Sequence, residues 1–262
     1  IGYSEDSFTP SRFDITKYTQ EKDNVLCVRI FQKCTGTWLE DQDMWRFTGL
    51  FRDVMIYKQP SLHIQDLKID TDIDLDTNKS VLSCVCKMSS NEPHTLQAKL
   101  YDPQGNIVWN GNMQDSFEIP VENTCLWSSE FPNLYQLELV LYDTNNEIIE
   151  TIQEQVGFRK FTLEYGIMKL NGKRIVFHGI NRHEWDPKTG RCLSQEQMEE
   201  DIRILKSLNI NAIRTSHYPN NSYWYKLCDQ YGIYVIDEMN LETHGVNDIL
   251  PQNKTEWTDC LL

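Results

Sequence analysis

The chain has 262 residues, of which 40% are hydrophobic and 11% aromatic, and its formal net charge is -14. This composition supports packed cores and excludes a disordered chain. The acidity, the lack of any Lys/Arg run and the shortness of the apolar stretches argue against nucleic acid and membranes as partners. The first predicted elements are strands. "NVLCVRIF" (residues 24–31) and "FRDVMIY" (51–57) are rich in β-branched and aromatic residues. "HIQDLKIDTDIDLD" alternates, with Ile64, Leu67, Ile69, Ile73 and Leu75 apolar and Asp70, Asp72, Asp74 and Asp76 on one face. A calcium loop starting at Asp70 would need Gly at its sixth position and Glu at its twelfth. Those positions hold Leu75 and Val81, so the ladder reads as a solvated strand face running into a turn at "DTNKS". "VLSCVCKM", "TLQAKLYD", "IVWNG", "YQLELVLYD" and "EIIETIQEQVGF" continue the pattern, separated by the turn signals "NEP", "DPQGN" and "DTNNE". Short strands at this spacing predict a β-sandwich. Pro60 and the region around Gly157 mark its ends.

The pattern changes after about Phe161. "RIVFHGI" (174–180) reads as a buried strand. Ser194 follows as an N-cap, with Gln197 completing a capping box. Met198, Ile202, Leu205 and Leu208 then recur at helical spacing. "INAIRTS" (210–216) is a second strand, "SYWYKLCDQYG" a second helix with Gly232 at its C-cap, and "IYVID" (233–237) a third strand. Strand, helix, strand, helix, strand is the order of a parallel α/β sheet.

Eight cysteines are present: Cys27, Cys34, Cys84, Cys86, Cys125, Cys192, Cys228 and Cys260. No C-x-x-C occurs, so neither a zinc knuckle nor a thioredoxin-type pair is supported. Cys84 and Cys86 point to one face of a strand. The expectation is reduced thiols in a cytoplasmic protein.

Polar residues gather where the three parallel strands end. Asn181, Arg182, His183 and Glu184 follow the first; Arg214, Ser216, His217 and Tyr218 the second; Asp237, Glu238, Asn240, Glu242 and His244 the third. The carboxyl ends of parallel strands are where α/β folds bind ligands. Taken singly, His183 and His217 read as structural histidines, Arg214 as the partner of a nearby carboxylate and Asp237 as the acceptor of a backbone amide. Glu242 and His244 read as a two-member metal-ligand pair, a weak signal without further donors. Tyr223, Trp224 and Tyr225 read as helix packing rather than a sugar platform. Three clusters in register are what point to a site.

Several stretches carry a resemblance: "LEDQDMWRFTGLFRDV" (39–54), "FPNLY" (131–135), "HGINRHE" (178–184), "IRTSHYPN" (213–220) and "DEMNLETHG" (237–245). In this order they resemble the large multidomain bacterial β-galactosidases of glycoside hydrolase family two. "DQDMWR" and "NLETHG" favour these over the related β-glucuronidases. The tail after Val246 is less similar. The resemblance implies three parts: the end of a jelly-roll sugar-binding domain (1–59), an immunoglobulin-like β-sandwich (60–160), and the first three βα units of a (β/α)8 barrel (161–262). A whole barrel takes about 250 residues, so the barrel is expected to be incomplete.

Retaining glycosidases use two carboxylates about 5 Å apart. By resemblance those glutamates follow the fourth and seventh barrel strands, which this sequence does not contain. Glu184 and Glu238 are not put in their place. The resemblance assigns Asp43 to galactose hydroxyls and a sodium ion, His183 and His217 to the sugar, Arg214 to the absent nucleophile, and Glu242 and His244 to a magnesium ion. The expected substrate is a terminal β-galactoside such as lactose. The chain alone is expected to be inactive and poorly soluble because its last parallel strand leaves an open edge. Its partner would be the remaining chain or a complementing subunit, within a homo-oligomeric parent. The rival readings are a non-catalytic carbohydrate-binding sandwich and a metal-dependent barrel hydrolase. The second is disfavoured because Arg182-His183-Glu184 stands where H-x-H ligands belong.

Overall fold

A computed structural model describes residues 1–250 and 255–257. Cys260 and most of the tail after residue 250 lie outside the described residues. The chain divides into two compact units. One comprises Ile1–Val54, Gly179–Tyr225 and the described residues from Val235 onward; the other comprises Met55–His178 and Lys226–Tyr234.

In chain order the first strand is a two-residue one, β1 (Glu40–Asp41). Residues 24–31 and 51–57 form no strand, contrary to their composition. A strand exists only through its ladder hydrogen bonds, and strand propensity measures fit to a pleated, half-buried surface. These segments have no such surface among the described residues: Val25, Val28, Ile30, Met55 and Ile56 are all exposed.

The sandwich comes next, with β2 (Ile64–Asp74), β3 (Lys79–Met88), β4 (Thr95–Tyr101), β5 (Ile107–Met113), β6 (Ser116–Glu122), β7 (Tyr135–Tyr142) and β8 (Ile148–Val156). They form a three-stranded sheet, β2-β3-β6, and a four-stranded one, β5-β4-β7-β8, all paired antiparallel. The period-two pattern puts Leu82, Cys84, Cys86, Phe117, Ile119 and Val121 of the first sheet inside. Leu96, Ala98, Leu100, Leu137, Leu139 and Leu141 of the second join them in one core. Each buried leucine there contributes about 1.5–3 kcal/mol. Asp70, Asp72 and Asp74 line the exposed face of β2, as their alternation predicts. Asn78 and Asn146 take the left-handed conformation in the tight β2–β3 and β7–β8 turns, which asparagine tolerates. Strand β6 is the one the sequence hides, because Pro120 interrupts "SFEIPVE". It is an edge strand, where a missing N–H is tolerated. Burial pushes the Cys84 thiol up to about 12 and the Cys86 thiol up to about 11, and none of the seven described cysteines is in a disulfide.

A small antiparallel sheet follows: β9 (Phe161–Glu164), β10 (Ile167–Leu170) and β11 (Lys173–Arg174). The predicted strand at 174–180 is therefore divided. Its start belongs to β11, and its end opens β12 (Gly179–Arg182). Next come α1 (Gln195–Ser207), β13 (Ala212–Thr215), α2 (Ser222–Tyr231), β14 (Tyr234–Ile236) and β15 (Glu242–Thr243).

Helix α1 starts at the predicted capping box. Ser194 Oγ accepts from Gln197 N–H, and the Gln197 side chain accepts from Ser194 N–H. Met198, Ile202 and Leu205 are buried, whereas Leu208 is the C-cap and 66% exposed, one position past the buried stripe. Helix α2 is followed by Gly232 at φ +71°, where a Cβ would also stand 2.6 Å from Ser129 O. The sheet order is β12-β13-β14, with β12 and β13 parallel. The described residues form no closed barrel, and no described helix is long and apolar enough to cross a membrane.

Candidate functional site

Strand register brings the polar clusters together. Asn181 pairs with Arg214 and Arg182 with Thr215, so the residues that follow leave the sheet at one level. Thr215 is fully buried and ties the neighbouring strand end. Its hydroxyl accepts from Glu238 N–H at 3.0 Å and donates to Asp237 Oδ1 at 3.1 Å. Asp237 also accepts from the Tyr225 hydroxyl at 2.5 Å, so its partners are hydroxyls rather than the backbone amide the sequence suggested.

Beyond these strand ends lies an open cleft of about 450 Å³, lined by Arg214, His217, Glu238, Met239, Leu241, Glu242, Thr243, His244 and Asn247. Arg214 Nε donates to Glu238 Oε1 at 2.5 Å, and His217 Nδ1 lies 2.8 Å from Glu238 Oε2. Burial alone would raise the Glu238 pKa, but the hydrogen bonds from Arg214 and His217 outweigh it and leave the carboxyl below its ordinary value. With Nδ1 donating to that carboxylate, His217 keeps Nε2 for another partner. Arg214 thus pairs with the carboxylate of Glu238, as its reading as the partner of a nearby carboxylate expects.

His183 stands beside His217, with ring centroids 5.9 Å apart and nearly perpendicular. Burial first, then the neighbouring His217, lowers the His183 pKa and favours the neutral ring. Its Nδ1 lies 3.4 Å from the Tyr218 hydroxyl, which accepts from Glu184 N–H at 3.1 Å. Asp43 is exposed, and its charge acts on His183 in the opposite sense to burial. His244 Nδ1 is 3.7 Å from Glu242 Oε1, and His217 Nδ1 is 3.9 Å from Glu242 Oε2. Glu242 and His244 are close enough to share one ion. No group of three or more His, Cys, Asp or Glu side chains is arranged to hold a metal among the described residues. The two therefore fit as part of a coordination sphere, not as a complete site.

Glu184 has a different role. It is 5% exposed, accepting from Arg52 Nη2 at 2.8 Å and from Asn221 N–H at 2.6 Å, with Arg182 Nη1 at 3.6 Å. Arg52 also reaches the carbonyls of Phe8 and Pro219, and Phe8 stacks on Tyr218 with centroids 4.0 Å apart. Arg182 lies 3.6 Å over the buried Trp224 ring and pairs with Asp201 and Asn220. This network carries no cleft-lining residue; it fixes the segments on which the site residues stand. Tyr223 and Tyr225 anchor α2 through Glu199 and Asp237, in keeping with packing rather than a sugar platform.

Two further residues support the cleft. Asp41 and Gln42 are buried polar groups on and beside β1. β1 pairs in parallel with β15, Glu40 opposite Glu242 and Asp41 opposite Thr243. Gln42 Nε2 donates to His217 O at 3.0 Å. Both lie in "LEDQDMWR", but only contact across some 200 residues of sequence reveals what they do.

Three family models match consecutive parts of the chain. Residues 1–60 match the glycosyl hydrolases family 2 sugar binding domain, 62–159 the model described as glycosyl hydrolases family 2, and 161–259 the family 2 TIM barrel domain. A β-galactosidase of Halalkalibacterium halodurans is 49% identical over 98% of the chain, which spans 26% of that protein. One of Streptococcus thermophilus is 46% identical over the whole chain, which spans 27% of it. A β-galactosidase large subunit of Lactobacillus acidophilus is 40% identical, and the chain spans 44% of it. Among solved structures, a β-glucuronidase from Ruminococcus gnavus superimposes with a TM-score of 0.63 and 26% identity, over 69% of this chain and 29% of that one.

Proposed function

Because the chain belongs to glycosyl hydrolases family 2, we propose that it forms one wall of the sugar pocket of a retaining β-galactosidase acting on terminal β-D-galactosides such as lactose. The observation that carries this reading is the convergence of Arg214, His217, Glu238, Glu242 and His244 on one cleft, with His183 at the side of His217. Neutral His183, His217 through Nε2 and the Asp43 carboxylate supply donors and acceptors for sugar hydroxyls. Such bonds accelerate hydrolysis to the extent that they tighten as the ring becomes oxocarbenium-like. Glu242 and His244 would hold a magnesium ion together with donors from elsewhere, and Asp43 would contribute one carboxylate towards a sodium ion. A bound cation supplies positive charge beside the reacting sugar.

Within the cleft Glu238 does not serve as nucleophile or acid. Both of its oxygens are engaged, and it is held ionised by a cation it would have to release. The acid/base and the nucleophile accordingly come from carboxylates of the remaining chain or of a complementing subunit. The name of the L. acidophilus relative, a large subunit, supports such a partner. The same reading puts a homo-oligomeric parent in the cytoplasm, in keeping with described cysteines that form no disulfide.

The test is turnover of a chromogenic β-galactoside by the 262-residue chain and by the full-length gene product. The full-length protein hydrolyses it and the chain does not. Turnover by the chain alone overturns the assignment of the reacting groups, and a full-length protein that cleaves β-glucuronides instead overturns the substrate. In the full-length protein His217→Ala lowers kcat/KM by about 100-fold or more, the scale of losing a transition-state hydrogen-bonding group.

A further inference from the structure

The loop carrying Glu242 and His244 is short, polar and at the edge of the described fold, so something must hold its backbone. Asp41 does so from a part of the chain distant in sequence. Glu242 N–H donates to Leu39 O at 2.7 Å, which starts the β1–β15 pairing. One turn further, Gly245 N–H donates to Asp41 Oδ2 at 2.9 Å. The other Asp41 oxygen is paired with Arg46. Asp41 is only 5% exposed, and a buried carboxylate is tolerated only when both oxygens are satisfied. Gly245 matches it in size, because a Cβ at that position would run into Asp41 Oδ2. The two backbone bonds bracket Glu242, Thr243 and His244.

We propose that Asp41 is a positioning residue for the sugar cleft: its carboxylate latches the Gly245 amide and thereby sets the mutual placement of the Glu242 and His244 side chains. The inference rests on the reading of the cleft as a glycosidase sugar site. An amide fixed by a carboxylate is a charge-assisted bond, stronger and shorter than a neutral one. Small displacements of site groups lower rates by factors on the order of 100, and loss of groups that orient metal ligands by about 10- to 100-fold.

The test compares Asp41→Ala and Asp41→Asn in the full-length gene product. Two quantities are read: kcat and KM on a β-galactoside, and hydrogen–deuterium exchange at the Gly245 amide. Asp41→Ala speeds Gly245 exchange at least about tenfold and lowers kcat/KM by about 10- to 100-fold. Asp41→Asn keeps an acceptor oxygen facing Gly245 but loses the charge and turns its NH2 towards Arg46, whose half-exposed side chain withdraws to water, so its exchange rate and kcat fall between those of Asp41→Ala and wild type. Where Asp41→Ala fails to fold, Gly245→Ala takes its place and produces the same fall in kcat. Unchanged kinetics with faster Gly245 exchange overturn the positioning role. Unchanged exchange overturns the latch itself. A wild-type protein without β-galactosidase activity removes the sugar-site reading, while Gly245 exchange still reports on the latch.

Discussion

Replacing Glu184 with Gln probes the network beneath the cleft with almost no change of shape. The carboxylate faces Arg52 Nη2 at 2.8 Å through one oxygen, and Asn221 N–H at 2.6 Å with Arg182 Nη1 at 3.6 Å through the other. An amide offers one oxygen and one NH2. In either orientation the NH2 meets a donor, and two guanidinium groups lose their shared counter-charge. Breaking a buried ion pair from one side costs about 3–5 kcal/mol. The Arg52 side chain is 21% exposed, against 6% for Glu184, so water recovers part of that loss. The expected destabilisation is about 2–4 kcal/mol. With a urea slope of about 2–3 kcal/mol per M, that lowers the unfolding midpoint by about 1 M. Tryptophan fluorescence suits the assay, because Trp224 packs under Arg182 in the same network. The double variant Glu184→Leu with Arg52→Met removes both charges and loses less than the sum of the single changes. A midpoint within about 0.2 M of wild type for Glu184→Gln, or strict additivity in the double variant, refutes the view that this ion pair holds the segments bearing the site.

The other predictions test separate parts of the argument. Gly232→Ala forces a Cβ into the left-handed region and within 2.6 Å of Ser129 O; it destabilises by about 2–4 kcal/mol, read as a lowered urea midpoint. The folded-state pKa of Glu238 is depressed, so its stabilising effect is fully present above the unfolded carboxyl pKa and fades as pH falls through the lower folded value. The stability gap between wild type and Glu238→Gln is therefore widest near neutrality and closes below about pH 4; a gap that widens in acid contradicts the pairing with Arg214 and His217. At pH 8 iodoacetamide labels the exposed Cys27 and Cys192, whereas Cys84 and Cys86 react only after unfolding, since burial both shields them and suppresses their thiolates. Mass mapping of the native protein reads this directly.

What was legible in the sequence followed from how local each signal is. The Ser194–Gln197 capping box, the C-cap Gly232 and the aspartate face of β2 are settled within a few residues, and each is found where the pattern puts it. The polar strand ends were legible for a related reason. Parallel order fixes which ends lie together, so Arg214, His217, Glu238 and Glu242 meet although nothing adjacent in sequence links them. The strands expected at 24–31 and 51–57 failed because a ladder partner is not a property of the segment. Strand β6 was hidden because proline inside a strand is tolerated mainly at a sheet edge, and edge position is a tertiary fact.

The partner of Gly245 was hidden for the deepest version of that reason: Asp41 lies 204 residues away. A motif such as "LEDQDMWR" can therefore be recognised whole while the partners of its buried members stay hidden. Attention goes to the exposed Asp43, which a ligand could touch, while the buried Asp41 and Gln42 beside it hold the backbone of the opposite wall. In a site assembled from strand ends, the groups that face solvent can be named from their chemistry. The groups that hold them must be found from burial, because a buried carboxylate is stable only where donors meet its oxygens.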